Sequence, residues 1–183
     1  MRIFFNNIIS VIHSAIRFIF LKVVNFKGVH VNPIQRFSPN VVVEVNRGGQ
    51  LYIGEKVRVH SGSKIKVRKG GKLTIERGAK FNYGCIIVCQ EDITIGEGSE
   101  LGPYVLVYDH DHDYKLGLKE DKYKTAPVKI GSNCWIGANT VILRGSEIGD
   151  NCVIGAGSVI KEIIPSNSVV IQEREDTIVS IKD

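Results

Sequence analysis

The first 43 residues contain no aspartate or glutamate; Glu44 is the first acid in the chain. Arg2, Arg17, Lys22, Lys27 and Arg36 fall in that stretch and carry the whole formal charge of +5, because the other 19 basic residues are matched by 19 acidic ones. Aromatics make up 8% of residues. They are not interleaved with the basic positions as a stacking surface, which argues against a nucleic-acid-binding strip. Four cysteines in 183 residues do not make a disulfide framework; buried free thiols in a reducing compartment are expected. No small-residue cleavage site follows a compact apolar core, so a signal peptide is a poor match. A spanning helix needs ~20 predominantly apolar residues, and Arg17 interrupts that run centrally.

Beyond the N-terminus the chain shows neither the apolar spacing of three and four that marks a helix nor the simple alternation of a strand. An aliphatic residue instead returns every sixth position: Ile130, Ile136, Ile142, Ile148, Ile154 and Ile160. Glycine mostly follows it (Gly131, Gly137, Gly149, Gly155), and four positions on stands something small: Cys134, Thr140, Ser146, Cys152, Ser158. Such a period fits a parallel β-helix in which three hexapeptides make one triangular coil. The frame runs backwards through Ile95, Leu101 and Val107, then Ile75, Phe81 and Ile87, then Ile53, Val59 and Ile65. The predicted fold is therefore all-β: a left-handed parallel β-helix of hexapeptide repeats, preceded by an amphipathic α-helix. Excess residues bulge between coils, and the one long insertion covers most of 109–128, where function should be sought first.

The expected organisation is an amphipathic helix over 1–26, a lead-in strand and turns over 27–50, the β-helix over 51–165 and a C-terminal cap over 166–183. In the lead-in, Val41, Val43 and Val45 alternate as the first strand of the prism. The N-terminal helix has two readings: it lies on an anionic membrane surface, or it packs against the prism or a neighbouring subunit. The protein is expected to be cytoplasmic, and on the first reading peripheral at the inner face of the cytoplasmic membrane. The basic run Lys64, Lys66, Arg68, Lys69, Lys72 reads most simply as a solvated outer face.

Chemistry concentrates in Tyr108-Asp109-His110-Asp111-His112-Asp113-Tyr114, at the root of the long loop. Its residues admit a metal site, a solvated acidic turn, or a general base whose imidazole is fixed by a carboxylate.

The repeat and the loop together resemble the hexapeptide-repeat acyltransferases, especially the galactoside, maltose and nodulation-type acetyltransferases and their polysaccharide O-acetyltransferase relatives. The resemblance covers about residues 51 to 165. Its most specific parts are the segment 126–137, ending in Trp135-Ile136-Gly137, and Ile154-Gly155-Ala156-Gly157-Ser158-Val159. It implies a homotrimer that takes acetyl-CoA as co-substrate in a groove between prisms, acetylates a carbohydrate acceptor and needs no metal. His110 would be the catalytic base, with Asn82, His112 and Asp109 at the acceptor. Trp135, Ala138, Ala156 and Lys161 would line the CoA groove. Of the two loop histidines only one is expected to face the groove, and the resemblance selects His110. A family aspartate would fall at Gln90, so Glu91, Asp109 or Asp111 is left to orient the histidine. The implied reaction is O-acetylation of a sugar hydroxyl in surface polysaccharide biosynthesis. The alternatives are N-acetylation of an amino sugar, a zinc-dependent β-helix hydratase of the carbonic anhydrase type using His60, His110 and His112, and a non-catalytic scaffold.

Overall fold

The computed structural model describes residues 2–32, 34–113, 115, 123–173 and 175. The tip of the long loop and the end of the expected C-terminal cap lie outside them. Among the described residues the six-residue period builds three parallel sheets, of seven, seven and six strands, which form the faces of a prism. Face A holds Val29–Val31, Gln50–Ile53, Lys72–Ile75, Asp92–Ile95, Val128–Ile130, Glu147–Ile148 and Ile163–Ile164. Face B holds Arg36–Phe37, Arg58–Val59, Lys80–Phe81, Glu100–Leu101, Trp135–Ile136, Val153–Ile154 and Val169–Val170. Face C holds Val42–Val45, Lys64–Val67, Ile86–Cys89, Leu106–Tyr108, Val141–Ile142 and Val159–Ile160.

The register stacks like on like. Ile75 lies between Ile53 and Ile95, and Ile130 between Ile95 and Ile148; faces B and C stack Phe81 and Ile87 in the same way. Every aliphatic or aromatic residue of the six-residue frame from Ile53 to Ile160 is at most 3% exposed. Each such side chain contributes roughly 1.5–3 kcal/mol by leaving water. The small second slot is buried too, by Ser63, Cys85, Ser99, Cys134, Thr140, Ser146, Cys152 and Ser158. All four cysteines are free and buried.

The prism is longer at both ends than the sequence reading. Residues 27–50 form a complete coil, not a lead-in: Val31 pairs with Ile53, Phe37 with Val59 and Val43 with Ile65. The strand Val42–Val45 is thus the third of the prism, not its first. Beyond 165, Val170 pairs with Ile154 and continues the frame. The corners repeat as regularly as the faces. At the corner between faces B and C a left-handed residue recurs in successive coils, at Gly62, Gly84, Tyr104, Asn139 and Gly157.

Helix α1, Arg2–Val24, closes the open N-terminal end. The first coil has no coil beneath it, so its strands would leave backbone N–H groups without a ladder partner. Ser14 meets that need: its Oγ accepts from Phe37 N at 2.8 Å and donates to Ser10 O at 2.6 Å. Arg17 Nη2 donates to Pro39 O at 2.8 Å, and buried Phe18 sets its ring edge-on to Phe37, centroids 5.0 Å apart. Part of the polar stripe therefore faces the protein. Ile9, Ile12, Ile16, Ile19, Phe20 and Val23 point away from it, 45–76% exposed. By length and composition Asn7–Val24 could cross a membrane, yet Ser14 and Arg17 tie it along the prism end.

Candidate active site

Asp109 follows the strand Leu106–Tyr108 on face C, where the inward alternation of the pleat continues through Val107 to the next-but-one residue. Earlier coils place Val67 and Cys89 at this corner between faces C and A. Here the corner carries a carboxylate that is 0% exposed. It is held by donors on every side. Gln90 N donates to both of its oxygens, at 2.8 and 3.0 Å, Glu91 N donates to Oδ2 at 2.7 Å, and His110 Nδ1 lies 3.0 Å from Oδ1. Burial pushes its pKa up, but the bonds from His110, the two backbone N–H groups and the Cys89 thiol outweigh this and leave it below the ordinary carboxylate value. An ionised Asp109 accepts only, so Nδ1 of His110 carries a proton, and in the neutral imidazole Nε2 is then the nitrogen with the lone pair.

The long loop leaves this corner as an antiparallel hairpin, His110–His112 against Tyr123–Thr125. His110 is 12% exposed and rests edge-on against Tyr108 and Tyr123, with centroids 5.8 and 5.2 Å away. His112 also packs on Tyr123, at 4.8 Å. Residues two apart in a strand project to the same side. The expectation that only one histidine could face a groove is therefore corrected: His110 and His112 share a face of the hairpin. Asp111 turns the other way, to Arg144 Nε at 2.7 Å, and Asp113 pairs with Lys124 at 3.0 Å. Of the three carboxylates left open by the sequence, Asp109 orients His110. Asp111 is engaged elsewhere, and only the backbone of Glu91 joins the site.

The remaining expected residues occupy other places. Asn82 sits at the corner between faces B and C, where its side-chain oxygen accepts from Tyr83 N at 2.9 Å. Half-buried Ala138 and exposed Ala156 lie at the same corner two and three coils further on, joined by a bond from Gly157 N to Ala138 O at 2.7 Å. Lys161 is exposed at the corner of His110, beyond the strand Val159–Ile160. Trp135 stands outward on face B, 59% exposed. Face C separates His110 and Lys161 from Asn82, Ala138 and Ala156, and a four-residue strand such as Ile86–Cys89 spans about 13 Å. Within one prism the expected site residues thus fall into two groups at two corners. The sequence reading missed the contacts of Tyr108 and Tyr123 with His110. Tyr108 stands in the motif itself, but Tyr123 lies across the long insertion with no periodic signal.

The cysteines are unsuited to nucleophilic work. Burial raises the thiol of Cys85 to about 11, and raises those of Cys89 and Cys134 as well. Among the described residues no group of three or more His, Cys, Asp or Glu side chains could hold a metal ion. Within the chain His60 lies at the B–C corner of the second coil, away from His110 and His112 at the other side of face C.

Residues 127–162 match the family model described as bacterial transferase hexapeptide (six repeats). Nodulation protein L of Rhizobium leguminosarum bv. viciae is 41% identical over 69 residues, which is 35% of this chain and 34% of that protein. A probable acetyltransferase of Mycobacterium tuberculosis is 30% identical over 83 residues, 44% of this chain and 28% of that protein. The matches span about a third of these curated relatives. Among solved structures, a variant of AntD, an N-acyltransferase from Bacillus cereus in complex with dTDP-4-amino-4,6-dideoxyglucose and coenzyme A, superposes with a TM-score of 0.68. It is 21% identical, with 89% of this chain and 88% of that chain covered. PerB from Caulobacter crescentus, in complex with CoA and GDP-perosamine, gives a TM-score of 0.55 at 21% identity, over 74% of this chain and 53% of that one. These structures share the β-helix fold.

Proposed function

We propose that this hexapeptide-repeat protein is an acetyl-CoA-dependent acetyltransferase acting on a sugar hydroxyl, in the assembly of a surface polysaccharide. The observation that carries the reading is the hydrogen bond between buried Asp109 and Nδ1 of His110, which leaves the Nε2 edge of the imidazole free of the carboxylate at the root of the hairpin. His110 removes the hydroxyl proton as the sugar oxygen attacks the thioester carbonyl. The tetrahedral intermediate then collapses: its C–S bond breaks, and the thiolate of CoA takes the proton back from the imidazolium. The products are the acetyl ester and CoA. Holding both substrates in reacting distance supplies the rest of the acceleration.

The two half-sites call for an assembly. On the outer side of face C, Ile86, Leu106, Val141 and Val159 stand in one apolar row. Three prisms that turn this face to a common axis bring the B–C corner of each against the C–A corner of the next. Asn82, Ala138 and Ala156 of one subunit then border the groove of His110 and Lys161 of another. A homotrimer is the smallest closed ring with that geometry.

The outward apolar row of α1, in a segment with five basic residues and no acid, supports peripheral binding to an anionic membrane surface from the cytoplasmic side. N-acylation of an amino sugar is the second reading, favoured by the shared fold with AntD and PerB. The deciding experiment follows CoA-thiol release with hydroxyl and amino sugars as acceptors. His110→Ala should cost kcat ~10²–10⁴-fold with acetyl-CoA affinity kept. Near wild-type turnover by that variant would sink the general-base reading. His112→Ala should act on KM for the acceptor instead.

A further inference from the structure

Between the first turns of α1 and the lower part of face B lies a cavity of about 520 Å3, lined among others by Asn7, Ser10, Arg36, Arg58, His60 and Tyr83. This volume is in the range of sites for small organic ligands. Arg36 and Arg58 are directly paired in the sheet register, one coil apart, and both project outward into the cavity. The same column continues to Lys80, which is neutralised by Glu100 at 2.5 Å. Among the described residues neither arginine forms an ion pair with a carboxylate. Arg58 Nε is buried without a hydrogen-bond partner. His60 lies 4.9 Å from the ring of Tyr83. Burial and then the charges of Arg58 and Arg36 lower its pKa, with no carboxylate acting on it to oppose them.

Two adjacent half-buried guanidiniums without an anion repel each other, and an unpartnered buried N–H costs free energy. A phosphoryl group removes both penalties, because guanidinium forks match its oxygens in bidentate geometry. Two arginines one coil spacing (~4.8 Å) apart can divide two linked phosphoryl groups between them, one guanidinium to each. The cavity also shares its upper edge with the acceptor half-site, since Tyr83 follows Asn82 in the chain. A sugar ring at Asn82 would thus sit one coil above Arg58, close enough for a substituent of that sugar to enter the cavity.

We propose that this cavity binds the diphosphate of the acceptor, which is a diphosphate-linked sugar. The assignment of the ligand as acceptor rests on the acetyltransferase reading; the anion site itself does not. The CoA half-sites at Ala138, Ala156 and Lys161 lie towards the opposite end of the prism, so the diphosphate of CoA is a different group in a different place.

The test is calorimetric titration of the full-length protein with inorganic pyrophosphate, in buffer free of phosphate and sulfate. Wild-type protein should bind it, and saturating CoA should not displace it. Arg36→Gln together with Arg58→Gln should weaken binding at least about tenfold, equivalent to ~1.4 kcal/mol, with CoA affinity unchanged as the check on folding. Arg58→Lys, which keeps charge and loses the fork, should fall between wild type and Arg58→Gln. His110→Ala should bind pyrophosphate like wild type, so a failed mechanism and a failed anion site are read separately. Thymidine diphosphate and farnesyl diphosphate should each compete with pyrophosphate, and the tighter of the two tells a nucleotide-linked from a lipid-linked sugar. Absence of pyrophosphate binding, its displacement by CoA, indifference to the double substitution, or failure of both organic diphosphates to compete would each overturn the proposal.

Discussion

Asp109 and His110 are neighbours in the chain, yet one is wholly buried in the prism wall and the other stands at its surface, with 3.0 Å between Oδ1 and Nδ1. The face-C strand ends at Tyr108 and the hairpin strand begins at His110, so the carboxylate occupies the corner between them while the imidazole opens the hairpin. An ionised Asp109 fixes the tautomer of His110. An asparagine at the same place could donate its amide to Nδ1 and drive the proton to Nε2, leaving no base.

Asp109→Asn should therefore lower kcat by ~10²–10⁴-fold, close to the loss in His110→Ala, with acetyl-CoA affinity unchanged. Asp109 is a positioning residue, and a purely structural role would not give this split between kcat and binding. Near-normal kcat in a folded Asp109→Asn protein would separate the carboxylate from the chemistry.

The same substitution makes a prediction about stability against pH. The carboxylate of Asp109 is held below its ordinary value of 3.8 in the folded protein. A depressed folded pKa means that the unfolded chain takes up its proton first as the pH falls. The stabilisation is thus full above the unfolded value and is lost as pH drops through the lower, folded one. Urea denaturation at neutral pH should show Asp109→Asn destabilised by about 1–3 kcal/mol, with the gap to wild type closing in the acid range. A gap that stays constant to strongly acid pH would mean that charge is not its source.

Much of the prism was legible because its signal is repeated. Ile53 to Ile160 keep one six-residue frame, and any one aliphatic residue could be lost without hiding it. The first coil was harder to see: Val31, Phe37 and Val43 obey the same spacing, but Pro33 and Pro39 made the segment look like turns. At the site, His110 stood out by residue type and position. Its partners did not, because the grip on Asp109 comes from the backbone N–H groups of Gln90 and Glu91, one coil earlier, which no side-chain pattern announces. The orientation of α1 was hidden for a related reason. Amphipathicity tells which face is apolar, but Ser14 and Arg17 are drawn inward by the unpaired edge of the first coil.

That orientation means that deleting the helix is a poor test of membrane binding. Truncation would strip Phe18 from Phe37 and take away the hydroxyl that satisfies Phe37 N. Ile16→Ser with Ile19→Ser and Val23→Ser is cleaner, since these residues are 63–76% exposed. Exposed substitutions of this kind usually change stability by no more than about 0.5 kcal/mol each. The triple variant should keep soluble activity and lose co-sedimentation with anionic liposomes. Binding equal to wild type would remove α1 as the anchor, and loss of the trimer would show that the outward face meets a subunit instead.

The half-site arrangement can be tested with two inactive proteins. His110→Ala removes the proposed base at the C–A corner, and Ala156→Trp, at an exposed position, should block the proposed CoA groove at the B–C corner. Each homotrimer should be dead. In the proposed assembly each groove of a mixed trimer joins the C–A corner of one subunit to the B–C corner of the next. Whichever variant is in the majority, one of the three grooves then receives an intact His110 and an intact Ala156. Random mixing makes three-quarters of the trimers hetero-oligomeric, so unfolding and refolding the two proteins together should restore roughly a quarter of wild-type turnover. Native mass spectrometry would confirm that mixed trimers had formed. If they form and stay inactive, His110 and Ala156 do not act across an interface, and the two corners cannot belong to one shared site.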